Sequence, residues 1–98
     1  MATVDVWVAK DDGTEIIRAR EIAAVSLDPV GDVTVRLAGD AELVTLVHGR
    51  AHQEDRQAGD FHRELLQVVA ELSDSSGAYL VRPVHDESRG WTWVSERL

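Results

Sequence analysis

One segment of this sequence has the hydrophobic period of a helix, whereas the apolar residues elsewhere alternate or form short β-type runs. The apolar residues of that segment are spaced so that they share one helical face, and they are Phe61, Leu65, Val68, Val69 and Leu72. Asp60 is a candidate N-cap, and Gly77 suits a left-handed position after the helix. We therefore expect an amphipathic helix over about residues 60–73. Because one helix cannot cover a large flat sheet, the strands around it are expected to curl.

Alternation of apolar and polar residues predicts most of the strands. The clearest is "DVTVRL", in which Val33, Val35 and Leu37 face one way while Thr34 and Arg36 face the other. Short turns such as "DDG" separate neighbouring segments, so we expect the first five strands to form an antiparallel meander. The predicted strands are residues 3–9, 14–19, 24–27, 32–37, 41–47, 78–84 and 90–98.

The predicted fold is α+β, with the order βββββαββ along the chain. We expect an antiparallel, curled or barrel-like sheet of about six to seven strands, with the helix packed on one opening or face. Pro83 weakens its segment as a central strand and suits an edge or a strand end. At 98 residues the chain has the length of one domain, so residues 1–98 are expected to share a single core.

The charge balance argues against nucleic-acid binding. The chain has 18 acidic and 10 basic residues, for a formal net charge of −8. Phosphate backbones are bound by clustered Lys and Arg, so such binding would require Arg18, Arg20, Arg36 and Arg82 to form one patch. Negative charge favours solubility and steers a basic partner toward the protein.

Other bulk features limit the compartment and the chemistry. The sequence has no cysteine, which excludes disulfides, thiolate nucleophiles and Cys-ligated metal centres. The first ten residues, "MATVDVWVAK", lack the basic start and the apolar run of a signal peptide. No stretch approaches the roughly 18 apolar residues of a membrane span. Lys10 is the only Lys among the basic residues, and this Arg bias suggests a GC-rich genome. With no signal peptide or membrane span predicted, we expect a bacterial-type cytoplasmic protein without membrane contact.

Three of the four histidines, His48, His52 and His62, lie close together in the sequence. A zinc site needs three or four ligands in tetrahedral geometry, and two histidines four residues apart provide that only in a helix. Gly49 lies inside that spacing, and residues 49–59 have the composition of a solvated loop. The histidines are therefore weak candidates for a metal site, and a loop leading into the helix is the favoured interpretation. We expect no cofactor.

No catalytic motif is found in the sequence. His85, Asp86 and Glu87 are adjacent, but the members of a catalytic triad converge in space and are rarely sequence neighbours. Their segment, "HDESRG", has the composition of a hairpin loop. Asp11 and Asp12 precede a glycine, and we interpret them as turn formers and surface charge. The seven glycines form no phosphate-binding loop, so we expect no catalytic residue and no enzymatic activity.

The three tryptophans lie in the first and last predicted strands. Trp91 and Trp93 point to one face of their strand, and Trp7 shares its face with Asp5, opposite three valines. Tryptophan is enriched at interface hot spots, which makes Trp7, Trp91 and Trp93 interface candidates. The alternatives are that these rings complete a small core or line a ligand pocket.

The middle of the chain has a strand, a Gly turn, a strand, an "I..V" strand, a strand ending in a Gly turn, and then a helix. This order runs through "DGTEIIRAREIAAVSLDPVGDVTVRLAGDAELVTLV" and "FHRELLQVVAEL". Over residues 5–72 the chain thereby resembles the small flagellar FlbD-like proteins. It departs from that family in its long His-containing loop and its Trp-bearing C-terminal strands. The resemblance implies a regulatory or accessory protein without catalysis.

Taken together, these features favour a non-enzymatic protein-interaction or regulatory module that acts as a homodimer. The hypothesis depends on the lack of a catalytic motif, on strand edges that are only partly protected, and on the placement of the tryptophans. Two alternatives stay open. One is an acidic inhibitor or immunity-type protein that covers a basic partner. The other is a small-molecule-binding barrel, which would need an internal pocket of roughly 300 Å³ or more.

Overall fold

The structure is a computed structural model of the chain, and it describes residues 4–29, 31–39, 42–48, 61–86 and 90–98. The elements of these residues, in chain order, are β1 (Val4–Ala9), β2 (Ile16–Arg18), β3 (Ile22–Leu27), β4 (Val33–Leu37), β5 (Leu43–Val47), α1 (Phe61–Leu72), β6 (Gly77–Asp86) and β7 (Gly90–Arg97). A short 3₁₀ turn, Ala19–Glu21, joins β2 to β3. The predicted α+β class and the order βββββαββ are confirmed.

The strands form two sheets. The four-stranded sheet has the order β2-β1-β6-β7, and the three-stranded sheet has the order β3-β4-β5. Neighbouring strands are antiparallel, except that β1 and β6 run parallel, with Val4 opposite Gly77 and Val8 opposite Val81. Neither sheet closes on itself.

The prediction of one curled or barrel-like sheet, and of a five-strand meander within it, is therefore wrong. Tight turns decide only which consecutive strands pair. Because β2 has just three residues and the turn Ala19–Glu21 follows it at once, the chain leaves the first hairpin and begins a second sheet. The free side of β1 is filled by β6. A parallel neighbour requires a long crossover connection, which the chain between β1 and β6 provides.

One core joins the inner faces of both sheets to one face of α1. Its buried residues are Val6, Val8, Ile17, Val81 and Trp93 from the four-stranded sheet, Val33, Val35, Val44, Leu46 and Val47 from the three-stranded sheet, and Phe61 and Leu65 from α1. In β1 the alternation acts as predicted, because Val6 and Val8 turn inward while Asp5 and Trp7 turn to the other face.

The helix lies within a residue of its predicted bounds and buries its predicted stripe. Phe61 and Leu65 are each 1% exposed, and the other stripe residues are partly buried against the core. Leu66 lies off the stripe and is 56% exposed. Within the described ranges, no helix combines the length and apolar content needed to cross a membrane. Asp60, the predicted N-cap, falls outside those ranges.

Two predictions made from single residues are confirmed. In the β1–β2 turn, Asp12 accepts hydrogen bonds from the backbone N–H of Thr14 at 3.0 Å and from its hydroxyl at 2.7 Å, and Gly13 has a φ of +73°. These two hydrogen bonds lower the pKa of the Asp12 carboxyl. Pro83 lies in β6 beyond Val81, the last residue paired with β1, so β6 has a strand neighbour on one side only at the proline.

Candidate interaction surface

Trp93 connects β7 to the start of α1. Its side chain is buried, and its indole Nε1–H donates a hydrogen bond to the backbone carbonyl of Phe61 at 2.8 Å. The two rings stack, with centroids 4.8 Å apart and planes inclined by 12°. In the single chain, Trp93 is therefore a core residue, although it was a candidate for interface contact.

Trp91 lies on the same inner face of β7 and is half-buried. Its ring is tilted against Phe61 at a centroid distance of 6.4 Å, and it meets His85 edge-on at 5.2 Å. The predicted sharing of one face by Trp91 and Trp93 is confirmed. Trp91 thus marks the border between the core and the surface at this end of the sheet.

Trp7 lies on the opposite face, which we call the outer face of the four-stranded sheet. Arg18, its cross-strand neighbour on β2, places its guanidinium 4.6 Å from the Trp7 ring centroid. Arg18 Nε is also 3.5 Å from a carboxylate oxygen of Asp5. A cation held over an indole and beside a carboxylate covers part of the ring, so Trp7 is a half-buried member of this surface.

The outer face carries several apolar side chains that are not part of the core. Val94 of β7 is 37% exposed, Ile16 of β2 is 50% exposed, and Leu98, which follows β7, is 66% exposed. The outer-face apolar residues are Trp7, Ile16, Leu80, Val84, Val94 and Leu98. Among the described elements, α1 and the three-stranded sheet both pack on the inner face. The corresponding outer face of the three-stranded sheet aligns the hydroxyl side chains of Ser26, Thr34 and Thr45.

One ion pair of the β6–β7 hairpin lies on its outer face. Arg82 Nε donates a hydrogen bond to Glu96 Oε1 at 2.7 Å, and both side chains are about half exposed, at 49% and 48%. On the inner face, the Arg97 guanidinium lies 5.9 Å from the Tyr79 ring centroid. The outer face of the hairpin therefore combines two exposed apolar side chains, Val94 and Leu98, with one ion pair.

The predicted histidine candidates are not brought together as a metal site by the described residues. His48 is exposed, and one carboxylate oxygen of Asp11 accepts its backbone N–H at 2.9 Å and lies 3.1 Å from its Nδ1. His62 is on α1, where its Nδ1 is buried without a hydrogen-bond partner among the described residues. His52 falls outside those residues. Within them, no three His, Cys, Asp or Glu side chains group in a way that would hold a metal ion.

The other acidic and histidine positions serve local structure. Asp11 closes the β1–β2 turn onto β5, because its backbone N–H also donates to the carbonyl of Leu46 at 2.7 Å. The predicted hairpin is confirmed, but His85 and Asp86, which were expected in its loop, are the last residues of β6 and pair with Trp91 and Gly90 of β7. Glu87, the third member of that sequence cluster, lies outside the described residues.

Two shallow recesses occur on the described surface. One, of about 180 Å³, is bounded by β1, the 3₁₀ turn and α1, with Val4, Val69 and Arg18 among its lining residues. The other, of about 240 Å³, lies beside the β1–β2 turn and the Arg82 side chain. Each is smaller than the roughly 300–1,000 Å³ of typical ligand pockets. With both sheets open, neither recess is the interior of a barrel.

Comparison of the chain with protein-family models, with curated proteins and with solved structures gives no match. Fold and surface together define the class of this protein, a small acidic α+β domain of two open sheets sharing one core. Its distinguishing surface is the β6–β7 end of the four-stranded sheet. The sequence predicts the tryptophans of this region and its last strand, over residues 90–98, but it does not show that this strand lies at the border of the sheet.

Proposed function

We propose that this protein is a non-enzymatic protein-interaction module, regulatory or accessory in role, that acts as a homodimer. The observation that carries the proposal is the distribution of charge along the chain. Residues 77–98 contain three acidic residues and three arginines, so the whole formal net charge of −8 belongs to residues 1–76. Two copies can therefore approach through β6 and β7 without bringing unbalanced negative charge together.

The surface of that neutral region also supports contact with a protein. The Arg82–Glu96 pair neutralises the centre of the hairpin's outer face, and Val94 and Leu98 expose apolar surface beside it. Burial of such side chains stabilises association by about 25 cal/mol for each Å² of apolar surface removed from water. A regulatory or accessory role is also what the resemblance to FlbD-like proteins implies.

The homodimer is tested by light scattering coupled to size-exclusion chromatography, over a range of protein and salt concentrations. The expected mass is twice the 10.8 kDa of the chain. Salt is expected to strengthen the dimer, because it screens the long-range repulsion between two acidic chains over about 8 Å at 0.15 M ionic strength. A strictly monomeric mass at high protein concentration and high salt would contradict the proposal.

A second candidate function, an acidic inhibitor that covers a basic partner, is favoured by the same concentration of negative charge in residues 1–76. The two functions differ in the sign of their salt dependence. Binding to a basic protein weakens as salt is added, since the attraction between opposite charges is screened. Titration with basic proteins at low and high salt therefore tests this candidate independently of the homodimer.

A further inference from the structure

The borders of the two sheets differ in how well they are protected against pairing with another chain. The β2 border has only three residues, Ile16–Arg18. The β3 border has a register shift between Ile22 and Ala24, and β5 has a shift in its pairing with β4. Asp11 also donates its N–H to a carbonyl of β5. Short length, bulges and covering contacts are three of the means by which proteins block edge-to-edge association.

The β7 border has none of these protections among the described residues. Its eight residues pair one-to-one with β6, from Gly90 opposite Asp86 to Arg97 opposite Tyr79, without a register shift. It contains no proline, and residues 94–97 are exposed on both faces of the sheet. A long, regular and exposed border strand is a template for another strand.

One hydrogen bond shows which backbone groups of β7 point away from β6. The N–H of Leu98 donates to the carbonyl of Ala78 at 2.9 Å, which makes these two residues a hydrogen-bonded pair. Because hydrogen-bonded and non-hydrogen-bonded pairs alternate in an antiparallel ladder, the even-numbered residues of β7 bond to β6. The N–H and C=O groups that point away from β6 are those of Trp91, Trp93, Ser95 and Arg97.

We propose that β7 pairs antiparallel with β7 of a second copy, about a two-fold axis at Val94, so that two four-stranded sheets become one sheet of eight strands. In this register Trp91 faces Arg97 of the second copy and Trp93 faces its Ser95. The outward-pointing N–H and C=O groups of Trp93 and Ser95 then bond to those of Ser95 and Trp93 of the second copy. The inference rests on the proposed function, because it assigns the surface and the geometry of the homodimer.

Side chains on the outer face favour this register over the two in which the axis lies at Glu96 or at Thr92. At the axis Val94 meets Val94 of the second copy in a non-hydrogen-bonded pair, where side chains approach closely. Glu96 meets the neutral Thr92. Moving the axis two residues to Glu96 would place two carboxylates opposite each other, and moving it to Thr92 would shorten the ladder.

A second copy fits this border better than a basic partner does. The hairpin has matched charge, with the Arg82–Glu96 pair on its outer face, and therefore offers no electrostatic attraction to a cationic surface. The remaining net charge of −8 lies on residues 1–76, outside this hairpin. Self-pairing along β7 joins the two chains through their neutral strands.

Cross-linking provides a direct test, because the chain contains no natural cysteine. Directly opposed residues of a non-hydrogen-bonded pair have Cα atoms about 4.5 Å apart, which suits a disulfide. Val94→Cys is expected to form a disulfide-linked dimer under mild oxidation. Thr92→Cys, on the same face of the same strand, is the matched control. The two cysteines introduced at residue 92 would lie about 14 Å apart along the ladder and should remain reduced.

A backbone variant tests the ladder itself. Ser95→Pro removes an outward N–H and no bond to β6, so the chain keeps its fold while the dimer dissociation constant rises about tenfold or more. Ser95→Ala keeps the N–H and should keep the dimer. If Ser95→Pro fails to fold, Val94→Lys replaces it, since two cations at the axis weaken the dimer without removing a hydrogen bond.

The outcomes separate this inference from the proposed function. Cross-linking at residue 94 but not at 92, with a raised dimer dissociation constant in folded Ser95→Pro or Val94→Lys, supports the β7 ladder. A dissociation constant that stays at the wild-type value in folded Ser95→Pro or Val94→Lys overturns the ladder while leaving the homodimer in place, as does cross-linking at 92 instead of 94. A wild-type chain that is monomeric under all conditions overturns both.

Discussion

The indole N–H of Trp93 donates to the backbone carbonyl of Phe61 across 2.8 Å, and the two rings stack with centroids 4.8 Å apart. The first residue of α1 is thereby attached to the middle of β7. Because both side chains are buried, this contact fixes the end of the helix over the inner face of the four-stranded sheet. None of the described helices or strands packs on the outer face or pairs with the border of β7.

Replacement of Trp93 tests how much this contact stabilises the fold. Trp93→Phe keeps an aromatic ring but removes the hydrogen bond and leaves a small void, so we expect the free energy of unfolding to fall by about 1–3 kcal/mol. The measurement is urea unfolding followed by circular dichroism. Trp7→Phe is the control, since Trp7 lies outside the core, and it should cost less than about 1 kcal/mol.

Two adjacent leucines of α1 test the predicted helical stripe. Leu65 is 1% exposed and Leu66 is 56% exposed. Leu65→Ala should lower the free energy of unfolding by about 2–5 kcal/mol, because it removes buried methyl groups and leaves a cavity. Leu66→Ala should change it by no more than about 0.5 kcal/mol. Equal effects in chemical denaturation would contradict the orientation of the helix.

Gly77 begins β6 in a conformation that requires glycine. Its φ is +102°, and a Cβ added there would lie 3.3 Å from Nη2 of Arg97. Gly77→Ala is therefore expected to destabilise the protein by about 1–3 kcal/mol. Gly13→Ala is the matched comparison, with a φ of +73° and no atom within 4 Å of the new Cβ. Thermal unfolding should show the larger decrease in Tm for Gly77→Ala.

Asp12 should titrate below its ordinary range. The backbone N–H of Thr14 is the main cause of the lowered pKa, followed by the Thr14 hydroxyl. A carboxyl whose pKa is lower in the folded than in the unfolded state stabilises the fold at a pH above the unfolded value of 3.8, and this contribution is lost as the pH falls through the folded pKa.

Nuclear magnetic resonance titration of the Asp12 carboxyl carbon measures this shift directly. Thr14→Ala keeps the backbone donor and removes the hydroxyl, so the Asp12 midpoint should rise part of the way toward 3.8. A wild-type Asp12 midpoint at or above 3.8 would show that the turn hydrogen bonds do not form in solution.

The sequence predicts those parts of the fold that depend on neighbouring residues. The period of α1, the turn at Asp12, the alternation in β1 and the edge position of Pro83 all follow from local geometry, and the structure confirms them. The two-sheet arrangement was not predictable in this way. It depends on β1 choosing β6 as a neighbour, and the valines of both strands would pack equally well in several pairings.

The candidate surface, like the fold, is predicted only in those features that depend on neighbouring residues. Alternation correctly separates Trp7 from the core face and puts Trp91 beside Trp93, but it cannot show which tryptophan the helix will cover. Burial of Trp93 depends on the position of Phe61, whose helix is separated from β7 by the whole of β6. The border position of β7 likewise depends on the order of strands in the sheet, which no local pattern encodes.

The parallel pairing of β1 with β6 also has a consequence for synthesis of the chain. Val4 meets Gly77, so during synthesis the β1 segment waits for a partner made more than 70 residues later. Until the ribosome releases residues 77–81, the growing polypeptide carries an incomplete sheet with Val6 and Val8 unshielded by that neighbour. Truncated products that stop before residue 77 should aggregate or be degraded. The full chain should fold only after residues 77–81 are released, and in one cooperative step.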